Sequence, residues 1–186
     1  MKSLYGLVVS LCTIAGCAGI EATEYVDTRI AAYAQSESFP GKRFVLQGPD
    51  PSHAGGDPSW PVYAGIVTRA LEARGFVLVD SSPDLFIQVT YTVGDSGITN
   101  IASNSVISST LRTVQLEATD AVSQAAGRPK VVWSVRARSR GTDDDLEKVF
   151  PFIVAAMEDY IGANAPHEVI VSKYGNDKEV SRLQKP

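Results

Sequence analysis

The chain has 186 residues, 44% of them hydrophobic and 20% charged, and a formal charge of −4. A mildly acidic chain with no basic run of five or more residues argues against nucleic acid and against electrostatic attraction to anionic lipid. Beyond the first sixteen residues no stretch reaches 18 consecutive apolar residues, so no later helix is expected to span a bilayer. The N-terminus reads differently: Met1 and Lys2 precede an apolar run from Leu4 to Ile14, and Ala15 and Gly16 precede Cys17. A basic start, an apolar stretch of about 7–15 residues and a small-residue cleavage site make a cleavable export signal, too short for a bilayer span of about 20 residues. Removing residues 1–16 takes away Lys2 and Cys12, which leaves 16 basic and 21 acidic residues, a charge of −5 and Cys17 as the single thiol. With no disulfide available, the fold must rest on its apolar core, and 170 residues are enough to bury one.

Ile14-Ala15-Gly16-Cys17 resembles the lipobox of bacterial lipoproteins: an aliphatic residue, two small residues, then cysteine. The resemblance implies cleavage between Gly16 and Cys17, diacylglycerol on the Cys17 thiol and acylation of the new amine. Two or three acyl chains anchor firmly, whereas one chain is marginal. The position after the cysteine is Ala18, not the aspartate that resembles an enterobacterial inner-membrane retention signal. That points to an outer-membrane anchor facing the periplasm. The competing reading is an ordinary secreted protein cut near Ala18 or Gly19.

Residues 17–30 are expected to act as anchor and spacer, with a short edge strand around Tyr25 to Thr28. A domain over 31–172 follows, then a solvated tail over 173–186. Lys42 to Gln47 reads as a strand, and Gly48 to Ser59, rich in proline and glycine, as a loop. Val62, Ile66, Val67, Ala70, Leu71 and Ala73 recur at helical spacing, with Pro61 in the first turn and Gly75 at the C-terminal cap. Phe76 to Val79 is expected as a short buried strand. Leu85 to Val93 alternates strictly, and so do the segments around Val114 to Thr119 and Val131 to Arg138. Between the first two, Gly94 to Thr110 reads either as a mobile loop or as a long hairpin reaching beyond the sheet. Asp120 to Pro129 reads as a turn containing Gly127. A last apolar stripe runs from Leu146 to Ile161, and Pro151 interrupts it, so the helix either starts close to Pro151 or is kinked there. His167 to Ser172 reads as one more strand. Half-buried strands in succession and helices with one apolar stripe must cover each other. The fold class is therefore α+β: one domain, a mostly antiparallel sheet of four to six strands, and two helices packed on one face.

The residues also resemble the DUF4136 family of bacterial envelope lipoproteins. The matching pieces are the lipobox cysteine, Phe39 to Gln47, Ala73-Arg74-Gly75-Phe76, Pro83-Asp84-Leu85, Leu116, Asp120-Ala121, Gly127 and Val132-Trp133. They are spread over most of the mature chain. About twenty residues after the final helix, and a long loop before the first one, depart from the pattern. The resemblance implies an envelope lipoprotein and carries over no catalytic residue.

Chemistry-bearing motifs are sparse. His53 and His167 are the two histidines and lie far apart in sequence, so no metal site is expected. Asp143-Asp144-Asp145 reads better as the acidic first turn of a helix than as a cation site. No nucleophile elbow, phosphate loop or metalloprotease motif occurs, so an enzyme is not expected and neither is a cofactor beyond the covalent lipid. Arg136, Arg138 and Arg140 share one strand face, either as a solvated outer face paired with Glu117 or as a site for an anionic glycan or acidic partner. Trp60 and Trp133 read as core or edge aromatics, whereas Phe86, on the polar side of its strand, marks a contact surface. The leading expectation is a non-enzymatic envelope lipoprotein that binds a protein partner or scaffolds an assembly, with Gly94 to Thr110 in the contact. A small-molecule or glycan module using the arginine face is the alternative. Cys17→Ser is expected to abolish fatty-acid labelling and to give either a folded domain released from the membrane or an uncut precursor. A variant fully processed and still membrane-bound in fractionation would overturn the anchor.

Overall fold

The computed structural model describes residues 24–35, 41–49, 57–95, 98–100, 105–107, 109–142 and 144–185. The export signal, Gly16, Cys17 and His53 lie outside them. Among the described residues nine strands form: β1 Tyr25–Ala34, β2 Arg43–Gln47, β3 Val77–Leu78, β4 Leu85–Asp95, β5 Ile98–Asn100, β6 Ser105–Ile107, β7 Thr110–Asp120, β8 Val131–Gly141 and β9 Val169–Tyr174. Seven build one open sheet in the order β3-β2-β4-β7-β8-β1-β9, and β5 pairs with β6. Every neighbouring pair from β4 to β9 is antiparallel, while β2 runs parallel to both β3 and β4. The result is the single α+β domain expected, with the sheet wider than expected by its short edge strands.

Strict alternation divides the sheet into two faces. Ile30, Leu85, Ile87, Val89, Val114, Leu116, Trp133 and Val135 point to one face and are fully buried there. Helices α1 (Trp60–Ala73) and α3 (Leu146–Met157) cover that face, and a short helix α2 (Ala121–Ala125), capped by Asp120, forms within the segment expected as a turn. The buried stripe of α1 is Tyr63, Ile66, Val67, Ala70 and Leu71, so the expected Val62 and Ala73 fall outside it. Tyr63 takes the place of Val62 because its ring stacks on Phe150, with centroids 4.2 Å apart, and meets Tyr91 edge-on at 4.9 Å. Gly75 follows α1 at φ 78°, the left-handed conformation that a helix terminus takes most easily with glycine.

Asp145 caps α3 by accepting a hydrogen bond from the Lys148 backbone N–H at 3.3 Å. The helix does not start at Pro151: it begins five residues before it and runs through it. The N–H that proline lacks would have bonded to the carbonyl of Glu147, an exposed position in the first turn, where water can serve that oxygen instead.

Four expectations need correction. β1 is no short edge strand: it is ten residues long and lies between β8 and β9. Val77 and Leu78 form an exposed edge rather than a buried strand, and of that segment Phe76 alone is buried. In β8 a bulge opposite Ala118/Thr119 pairs Thr119 with Val131 and Ala118 with Trp133. The extra residue, Val132, is buried beside Trp133, and Val131 leaves the core face. Finally, the C-terminal segment is not a solvated tail. It completes β9 to Tyr174 and forms helix α4 (Lys178–Leu183), whose Val180 and Leu183 are fully buried among α1 and α3. Leu183→Ala is therefore expected to cost about 2–5 kcal/mol of unfolding free energy in a urea titration; a solvated leucine would cost under about 0.5 kcal/mol.

Candidate functional site

No helix among the described residues covers the second face of the sheet, and β8 runs through its middle. Arg136, Arg138 and Arg140 alternate outward along β8 and are all exposed. Register places Arg29 of β1 beside Arg138, and Gln115 of β7 beside Arg136. The Arg136 Nε–H donates to Gln115 Oε1 at 2.8 Å, and Arg29 meets Glu168 across 3.4 Å of largely exposed space. Glu117 does not pair with the stripe as anticipated. Its register partner is Ser134, and its carboxylate accepts from Gln115 Nε2 at 3.3 Å. Four guanidinium groups thus share a small area of a chain that is acidic overall.

The segment after α3 shapes this area. β9 pairs with β1 only from Tyr25 to Ile30, so the backbone of Ala32 and Ala34 is free for other partners. The Ala165 N–H donates to the Ala32 carbonyl at 3.1 Å, and the Ala34 N–H to Asn164 Oδ1 at 2.7 Å. Residues 165–168 consequently wall a concavity of about 350 Å³ whose floor carries Arg29, Tyr33, Gln115, Arg136 and Arg138. A groove of about 580 Å³ adjoins it along Arg29, Leu111, Arg138, Arg140 and Ile170, and one of about 360 Å³ along Thr92, Thr113, Gln115 and Arg136. Arg138 borders all three. They are connected hollows of one open surface.

Phe86 lies on the same face, half-buried, but it pairs with Val45 and Thr119. Thr119 is four residues along β7 from Gln115, about 13 Å at a strand's rise. The structure therefore does not join Phe86 to the arginines. Beside them Ile170, the register partner of Arg29, and Tyr33 are exposed, and exposed Tyr25 and Tyr174 lie 5.7 Å apart at the far end of β1.

Of Gly94 to Thr110, residues 96–97, 101–104 and 108 lie outside the described residues, and the rest pairs as a hairpin would. β4 and β7 stay in register out to Asp95↔Thr110, and β5 pairs with β6 beyond. Thr92 to Asp95 are exposed, so the hairpin leaves the covered part of the sheet there.

Sites for chemistry are few. Among the described residues no group of three His, Cys, Asp or Glu could hold a metal ion, and no helix is long and apolar enough to cross a membrane. His167 is exposed at the edge of the first concavity. At the rim of the covered face the Tyr91 hydroxyl donates to Asp57. Burial first, and then that carboxylate, push the Tyr91 phenol well above its ordinary value, and burial raises Tyr63 as well. Neither phenol is poised to give up its proton near neutral pH. Arg29, Tyr33 and Gln115 were not singled out in the sequence because Ala31 and Thr28 blur the alternation of β1, and Gln115 reads as ordinary outer-face polarity.

No family model matches the chain, and no curated protein matches it. The DUF4136 likeness therefore rests on its short motifs. Among solved structures the chain is similar to a PDZ domain protein from Parabacteroides distasonis, at 14% identity and a TM-score of 0.49 over 83% of this chain; it spans 40% of that protein's length. It is also similar to a PelC dodecamer from Paraburkholderia phytofirmans, at 12% identity and a TM-score of 0.45 over 74% of this chain and 99% of that one. A minor lipoprotein from Acinetobacter baumannii gives 16% identity and a TM-score of 0.35 over 65% and 84% of the two chains. Likeness at this level carries no functional argument.

A phenol whose folded pKa lies above its unfolded value keeps its proton after the unfolded chain has lost its own. Stability is then fully present below the ordinary value of 10.0 and falls as pH rises above it. Alkaline unfolding followed by circular dichroism should show that fall, and Tyr91→Phe should flatten it.

Proposed function

We propose that this chain is a non-enzymatic, lipid-anchored protein of the bacterial cell envelope, attached to the outer membrane through Cys17, that docks an acidic protein partner on the uncovered face of its sheet. The observation that carries the docking is the arginine strip. Four guanidinium groups stand on a face that no helix covers, over hollows that run into one another, with exposed Tyr33 and Ile170 at their margin. A broad, shallow, basic surface with aromatic margins suits a macromolecular partner better than a small ligand, which is usually enclosed on most sides. Arginine also suits the purpose, because its planar fork binds carboxylates in pairs and sheds water more readily than lysine. The lipobox-like sequence supports the anchor. The segment Gly94 to Thr110, which joins β4 to β7, offers a second contact.

A second reading takes an anionic glycan or small envelope ligand into the hollow walled by residues 165–168. What favours it is the roughly 350 Å³ volume bordered by Arg29, Arg136, Arg138 and His167, which is within the usual range for ligand sites.

A photo-crosslinker at Tyr33 in living cells tests the docking. It is expected to trap a discrete protein partner, and Arg136→Glu with Arg138→Glu should lower the yield at least about tenfold, while a crosslinker at Glu72 traps none. Unchanged trapping in the charge-reversed variant would sink the proposal. Under the second reading Arg136→Ala with Arg138→Ala loses anion binding while trapping of protein persists.

A further inference from the structure

The covered face of the sheet holds one layer that is not apolar. Arg112 of β7 pairs in register with Ser139 of β8, and Ser139 with Thr28 of β1, so the three side chains form a row across three adjacent strands. They point to the core side, as Val114, Ala137 and Ile30 do two positions further along. Their exposures are 2%, 1% and 0%.

Their polar atoms are unanswered. Arg112 Nε and Nη2, Ser139 Oγ and Thr28 Oγ1 are buried and make no hydrogen bond. No carboxylate among the described residues forms an ion pair with Arg112. An arginine cannot shed its proton to relieve this, as a buried lysine can. A desolvated charge without a partner is among the costliest groups a core can hold.

The identity of the open atoms matters. Nε–H and one N–H of Nη2 lie on the same edge of the guanidinium and form a fork that matches two oxygens of a carboxylate or phosphate. The two hydroxyls of the row can donate as well. Gly141, two residues beyond Ser139 on β8, leaves room for the group: a Cβ there would come within 3.1 Å of Arg112 Nη1. The hydroxyls can accept as well as donate, but neither carries the negative charge that the buried guanidinium fork lacks, and a positive fork with donor hydroxyls in the same row describes a site for an anion. Water would supply acceptors but no charge.

We infer that Arg112, Ser139 and Thr28 form an internal oxyanion site, which takes a carboxylate, phosphate or sulfate either as a free ion or as the end group of a larger molecule. This is separate from the docking face, which lies on the other side of the sheet. Because the layer is closed to bulk solvent, the anion is taken up on folding or through local opening of that end of the sheet.

Thermal unfolding of the mature chain at fixed pH and ionic strength, with phosphate or acetate replacing chloride, tests the site. The midpoint should climb with the logarithm of oxyanion concentration, by about 5 °C between 1 and 100 mM for the better-fitting anion. The phosphate and acetate arms show which anion fits. Phosphate also stabilises proteins without a site, by exclusion from their surface, so the difference between variants decides. Arg112→Met should lose the specific climb, while Arg136→Ala with Arg138→Ala on the outer face keeps it. If Arg112→Met does not fold, Thr28→Val with Ser139→Ala, which removes two donors with little change of shape, should weaken the climb. A climb of equal size in the native chain and in these inner-face variants, or none in the native chain, would overturn the site.

Discussion

Helix α3 is apolar on every side. From Val149 to Met157 each residue is buried, so the helix needs cover on its back as well as on the side that rests on the sheet. Val149, Phe150, Ile153, Val154 and Met157 belong to the stripe visible in the sequence. Pro151, Phe152, Ala155 and Ala156 lie off that stripe, and α1 and α4 pack against the helix. This requirement explains why α4 exists. A helix of six residues has little stability alone, yet Val180 and Leu183 close a surface that would otherwise be exposed hydrocarbon. The Arg69 guanidinium secures the closure by donating to the Leu183 carbonyl at 2.6 Å.

With α1, α3 and α4 gathered on one side, no helix among the described residues covers the other. The outer face can then be polar at little cost, and its arginines need no buried partner. The ion pair between Arg29 and Glu168 is exposed and contributes little to stability. The fold therefore separates its two tasks. The inner face and α3 carry the stability, and the outer face is free to vary its chemistry. The row containing Arg112 departs from this division, since it places charge on the side that should have none.

Long, regular elements were legible in the sequence. The alternation of Leu85 to Val93 and of Val114 to Thr119, and the stripe from Leu146, place β4, β7 and α3 correctly because a half-buried strand and a packed helix impose periods of two and of 3.6. The misplaced elements each lack such a period. β1 mixes alanine and threonine into its inward row, so its length was hidden. The Val132 bulge breaks the alternation of β8 at the point where a strict reading assigns Val131 inward. The C-terminal residues are charged and short in pattern, and their two buried side chains are apparent only once α1 and α3 lie beside them. Arg112 could not have been read as a core residue at all, because burial of an arginine is decided by what lies above it.

The sequence by itself determined the two-faced character of the central strands, and it alone carries the expectation of an envelope address, through the residues before Cys17, because periodic burial and export signals are local properties of a chain. Tertiary structure alone decided which face is bare, that Arg29 stands beside Arg138 while Phe86 stands apart, that β5 pairs with β6, and that Arg112, Ser139 and Thr28 share a layer. Each of these depends on register between strands distant in sequence, and register is set by the packing of all the strands and helices together, not by any one segment.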